Sequence, residues 1–109
     1  MIKSFEVFGK VQGVMFRKTF ILGLINRKLA GGATNLKNEK RSVQITIVAI
    51  DESQIIKVIN ELLNLDALNS WHAKVEYILE INPIEISNHE VTTSNIDPNY
   101  SASGIEFYF

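Results

Sequence analysis

The apolar pattern changes period abruptly on either side of a glycine-bounded segment, and that change limits the fold more than any other feature. Ile2, Phe5, Val7 and Phe8 stand at near-alternating positions up to Gly9, the spacing of a half-buried strand. After Gly13 the period lengthens. Phe16, Phe20, Leu24 and Leu29, with Ile21 and Ile25 beside them, predict an amphipathic helix that ends before Gly31-Gly32. Strand, loop and helix therefore follow one another directly.

The two periods then repeat. Ala33 to Leu36 reads as a short strand, and Val43, Ile45, Ile47 and Ala49 alternate with Gln44, Thr46 and Val48 into another. The polar stretch Lys37 to Arg41 between them is a hairpin connection. Asp51, three residues before Gln54, resembles a capping box, and Ile55, Ile56, Val58, Ile59, Leu62 and Leu63 give a second amphipathic helix. Val75, Tyr77 and Leu79 form the next alternating set, ended by Asn82-Pro83, and Ile105 to Phe109 reads as the last strand. The order β-α-β-β-α-β with an additional C-terminal strand predicts an α+β, ferredoxin-like split βαβ sandwich (βαββαβ), with two helices on one face of an antiparallel sheet. Residues 82 to 104 fit this order least well, because a structureless loop that long is unusual in a compact domain. Ile84 to Ser87 or Glu90 to Thr93 is expected to supply a strand there.

A chain of 109 residues has room for one core, so residues 1–109 are expected to form a single domain. With no Cys, disulfides, thiolate nucleophiles and thiolate metal sites are excluded, and stability must come from packing. The alternating start, which carries Glu6, is neither a signal-peptide core nor a membrane span, and no other apolar run is long enough to cross a bilayer. A soluble, cytoplasmic monomer is expected. Asn99-Tyr100-Ser101 fits a glycosylation acceptor pattern, which without a secretory signal is read as a chance match.

The net charge of −1 conceals an asymmetry. Residues 1 to 41 hold nine of the eleven Lys and Arg against Glu6 and Glu39, a balance of +7, and the remainder carries −8. A basic first third suits an anion site, and equally an ordinary solvated surface. The segment Gly9-Lys10-Val11-Gln12-Gly13-Val14-Met15-Phe16-Arg17 decides what to make of it. A loop between a strand and a helix aims successive N–H groups and the positive helix end at one anion. Arg17, on the first turn, adds a two-pronged donor. A Gly-bounded turn with a surface Arg fits the same spacing, so the pattern alone leaves both readings open. It is not a P-loop, since no Gly-Lys-Ser/Thr follows.

Those nine residues resemble the acylphosphatase signature (Gly, Lys or Arg, Val, Gln, Gly, Val, any residue, Phe or Tyr, Arg) at every defined position. Gly31-Gly32-Ala33-Thr34-Asn35 resembles the family's second segment, with Asn35 eighteen positions after Arg17. The resemblance implies hydrolysis of the carboxyl-phosphate bond of small-molecule acyl phosphates to carboxylate and phosphate, without metal or other cofactor. It implies that Arg17 binds phosphate, that Asn35 positions the attacking water, and that backbone N–H groups of Gln12, Gly13, Val14, Met15, Phe16 and Arg17 hold the remaining oxygens. A phosphate or sulfate anion is then expected to fit the site.

Three departures from the family pattern touch the surroundings of the site. Gly32 replaces an aromatic residue, which is expected to remove packing and loosen the strand carrying Asn35. The hairpin over residues 37–42 is longer, and Arg27-Lys28-Leu29 replaces a Leu-Gly-Leu. His72 and His89 lack carboxylates at ligand spacing and read as structural; Trp71, Tyr77 and Phe107 read as core or core-edge aromatics. Glu76, Glu80 and Glu85 read as a solvated face. The competing reading is a weak or inactive binding module for RNA or a protein partner. Nucleic acid is not expected, because the strands carry no RNP-type aromatic pattern.

Overall fold

A computed structural model describes residues 1–97 and 104–109, so Asn99-Tyr100-Ser101 lies outside the described residues. The first strand, β1 (Ile2–Lys10), leads through the glycine-bounded loop into helix α1 (Phe16–Asn26). Strand β2 (Ala30–Asn35) and strand β3 (Val43–Val48) form a hairpin, helix α2 (Glu52–Asn64) follows, and β4 (Lys74–Ile81) and the two-residue β5 (Val91–Thr92) complete the sheet. The strand order is β4-β1-β3-β2-β5, every pairing antiparallel. The expected ferredoxin-like sandwich is present.

Both helices lie over the face carrying Phe5, Val7, Ala33, Val43, Ile45 and Ile47, which they cover with Phe16, Phe20, Ile21, Leu24, Ile55, Val58 and Leu62. Each such Val, Ile, Leu or Phe side chain contributes about 1.5–3 kcal/mol when fully buried. Helix α2 starts on the expected capping box, with Asp51 accepting from the Gln54 N–H. Helix α1 ends in a Schellman motif: the Lys28 N–H donates to the Ile25 carbonyl and the Leu29 N–H to the Leu24 carbonyl, both at 2.9 Å. Lys28 holds the left-handed position, φ 59°, where glycine is usual.

Two strand expectations need correction. Residues 105–109 do not form a strand; they make one isolated bridge, Asn69 with Phe107, and send the buried Phe109 ring against Phe20 and Gly23. The fifth strand lies instead inside the Glu90 to Thr93 stretch, while Ile86–Asn88 is a single 3-10 turn. In β4 a bulge intervenes: Phe8 pairs with Tyr77 but Gly9 with Val75, leaving Glu76 without a partner. Gly9 permits this approach, since a Cβ there would meet the Lys74 carbonyl oxygen. The bulge reverses which residues face inward, so Val75 is buried with the core while Tyr77 turns to the open face and stacks on Phe8, ring centroids 4.4 Å apart. Tyr77 and Trp71, 40% and 39% exposed, are therefore not core aromatics. No helix among the described residues is long and apolar enough to cross a membrane.

Candidate active site

Between β1 and α1 the chain turns on two left-handed residues, Gly13 at φ +75° and Met15 at φ 60°. Alternating backbone hand points successive N–H groups to one side, the arrangement that makes a concave anion site. Helix α1 opens without a side-chain cap, and its first backbone bond runs from the Thr19 N–H to the Met15 carbonyl. Among the described residues, the N–H groups of Gln12 to Arg17 donate to no protein acceptor. The left-handed Met15 costs about 1–2 kcal/mol, so surrounding bonds must hold it.

Those bonds come from behind the loop. Asn69, fully buried, donates from Nδ2 to the Val14 carbonyl and to Thr19 Oγ1, both at 2.8 Å. Its Oδ1 accepts from the N–H groups of Trp71 and Ala73. Every hydrogen-bonding position of that carboxamide is used. Thr19 Oγ1 in turn donates to the Met15 carbonyl at 2.7 Å. From the other side, Gln12 Nε2 donates to the carbonyls of Leu36 and Ser42 and ties the loop to the β2–β3 hairpin. The hairpin is braced further by Asn38, which bonds Ser42 through both ends of its carboxamide.

Arg17 and Asn35 meet in front of the loop. Both line a cleft of about 280 Å³ with Gly13, Met15 and Trp71, and both line an adjoining one of about 770 Å³ with Gln12, Lys37, Arg41 and Glu90. Arg41 reaches over the loop: its Nη2 lies 3.9 Å from where a Cβ on Gly13 would stand. The β2–β3 hairpin thus brings a second guanidinium to the mouth of the site. Asn35 closes β2 opposite Val43, and its Oδ1 is buried without a hydrogen-bond partner. Leaving a buried acceptor unpaired costs about 1–3 kcal/mol, and such an atom calls for an explanation. Val14 contributes no side chain to the clefts; its isopropyl group lies in the core.

The strand carrying Asn35 is not loosened by Gly32. A Cβ at that position would stand 2.7 Å from Cβ and Cγ of His89, so the imidazole packs directly on the glycine and fills the space an aromatic would occupy. His89, 7% exposed, contacts Thr46 Oγ1 through Nε2 at 2.6 Å and Thr34 Oγ1 through Nδ1 at 3.0 Å. Thr46 spends its own proton on the Ile84 carbonyl, which requires a proton on His89 Nε2 and leaves Nδ1 to accept from Thr34. Ser4 then donates to Thr46 and accepts from the Ile84 N–H, so the chain of bonds closes with a neutral imidazole. Burial pushes the His89 pKa below its ordinary value, in agreement with that form.

Sequence reasoning brought out the loop, Arg17 and Asn35, which the fold brings together. It missed Asn69, Glu90 and the placing of Trp71 at the cleft. A lone Asn between a helix and a strand carries no signal of burial, and Glu90 sits in a polar stretch with no periodicity. His72, exposed, takes no part in the site. Among the described residues no three His, Cys, Asp or Glu side chains gather as a metal site.

Comparison with known proteins gives a consistent result. A crystal structure of acylphosphatase from Bacillus subtilis is similar, with a TM-score of 0.57 and 27% sequence identity over 78% of this chain and 90% of that one. Among curated proteins, none matches at a significant level. The family model for acylphosphatase matches residues 3–101, nearly the whole of the βαββαβ framework, and the chain therefore belongs to the acylphosphatase family.

Proposed function

We propose that this protein is an acylphosphatase that hydrolyses the carboxyl-phosphate bond of small acyl phosphates without a metal ion, acting as a cytoplasmic monomer in which residues 1–109 form one domain. One observation carries the reading: Gly13, Met15 and Phe16, whose N–H groups are unspent among the described residues, line a cleft with Arg17 and Asn35, and Gln12 lines the adjoining one. The amides and Arg17 hold the three phosphoryl oxygens. Asn35 orients a water through its unpaired Oδ1, in line with the bond to be broken. The water oxygen bonds phosphorus, and the P–O bond breaks with its electron pair leaving on the carboxylate. The water proton passes to the phosphate product or to solvent. A carboxylate is a good leaving group, so neither a strong general acid nor a Lewis acid is required, and catalysis rests on holding charge and geometry.

The test is hydrolysis of a simple acyl phosphate in the presence of a chelator by the parent, Arg17→Ala and Asn35→Ala. The expected outcome is metal-independent turnover in the parent and a loss of about 10²–10³-fold in each variant, the scale of one preorganised donor. A folded parent that leaves the acyl phosphate intact would overturn the assignment. Steeply salt-dependent nucleic-acid binding by that inactive parent would point to a binding module instead.

A further inference from the structure

Glu90 has no part in the reaction as proposed, yet it stands on both residues that carry it. A single carboxylate oxygen, Oε1, lies 3.1 Å from Arg17 Nη1 and accepts from the backbone N–H of Asn35 at 2.9 Å. The residue is held from behind. Its own N–H donates to Thr34 Oγ1 at 3.0 Å, its carbonyl accepts from Asn95 Nδ2 at 3.2 Å, and the preceding residue is the buried His89. The carboxylate is thus presented from a braced backbone beside β2.

We propose that Glu90 is a positioning residue that grips the Arg17 guanidinium by its Nη1 edge and, through its negative charge, keeps phosphate weakly bound at the same site. The inference rests on the acylphosphatase reading of the cleft. A guanidinium has five N–H donors in a fixed fork, so engaging one edge orients the group and leaves the other donors for an anion. An anion on those donors lies close to the carboxylate, and like charges oppose one another. With the Arg17 and Glu90 side chains 35% and 52% exposed, water screens that opposition, so its effect is moderate. Product phosphate presents the same oxygens as the substrate's phosphoryl group. A charge that weakens phosphate binding therefore speeds its departure after each turnover.

Trp71 is the only tryptophan and lines the cleft, so its emission can follow inorganic phosphate binding to the intact chain. Glu90→Gln keeps an acceptor oxygen and removes the charge, whereas Glu90→Ala removes both. Glu39→Gln removes a charge from the lining of the larger cleft, where Glu39 makes no ion pair with Arg17. The expected result at low salt is phosphate binding about two- to fivefold tighter in Glu90→Gln, the range of an exposed ion pair, with the gain shrinking as salt rises. Glu39→Gln should shift it less, and Glu90→Ala should lose more kcat on a simple acyl phosphate than Glu90→Gln. Unchanged or weaker phosphate binding in Glu90→Gln, or an equal gain in Glu39→Gln, overturns the role given to Glu90. If the parent hydrolyses the acyl phosphate in that case, only this inference falls. A parent that neither hydrolyses it nor binds phosphate overturns both.

Discussion

The loop between β1 and α1 has a front and a back, and two asparagines mark the difference. Asn69, behind it, spends both ends of its carboxamide on four partners and is sealed from water. Asn35, in front, keeps a buried oxygen without a partner among the described residues, and it lines a cleft with loop residues whose N–H groups also have none. Saturated polar groups fix a backbone, and unsaturated ones cost stability unless a ligand completes them. The back of the loop is built to be stable, and the front forgoes stability for something outside the chain.

This contrast makes opposite predictions for the same substitution. Asn35→Ala should lower kcat/KM about 10²-fold or more while leaving the melting temperature unchanged or raised, because it removes an unpaired buried acceptor. Asn69→Ala should do the reverse in emphasis. It leaves the buried Val14 carbonyl and Ala73 N–H and the part-buried Trp71 N–H without their partner, and should cost about 3 kcal/mol in denaturant unfolding, with activity falling only as the loop slackens. If Asn35→Ala proved as destabilising as Asn69→Ala, the distinction between front and back would fail.

Smaller effects test how the back is assembled. Gly32→Ala should cost about 1–3 kcal/mol, since its methyl group meets the His89 ring, and most of that cost should vanish in a His89→Ala background. The least effect is expected at the far end of α1. Met15 and Lys28 are both left-handed, but Met15 shapes the anion loop whereas Lys28 only ends a helix. Lys28→Gly should therefore raise stability by about 0.5–1 kcal/mol in a denaturant titration and leave turnover unchanged.

The sequence made the front of the site legible because glycines and an arginine at fixed spacing carry chemistry in their identity. Arg17, Asn35 and the loop could be read in this way, and so could the order of elements, since apolar period distinguishes strand from helix. The back was not legible. Asn69 and His89 act through contacts with residues distant in sequence, such as Val14 and Thr46, and nothing local announces them. Gly32 reads as a weakness in the sequence for the same reason: the side chain that fills its space arrives from residue 89. The closing strand fails on a different ground: Ile105 to Phe109 has strand composition but makes a single bridge, with Asn69, and packs its Phe109 ring on helix α1.

The slip in pairing opposite Gly9 also changes how β4 must be read. Before it, odd-numbered residues face the helices; after it, even-numbered ones do, as Val75 and Ile78 show. Anyone redesigning this protein must decode residues 74–81 in two frames, because a stabilising apolar residue chosen by plain alternation would land in water on one half of the strand. The first glycine of the signature is thus punctuation for the sheet as much as a member of the loop.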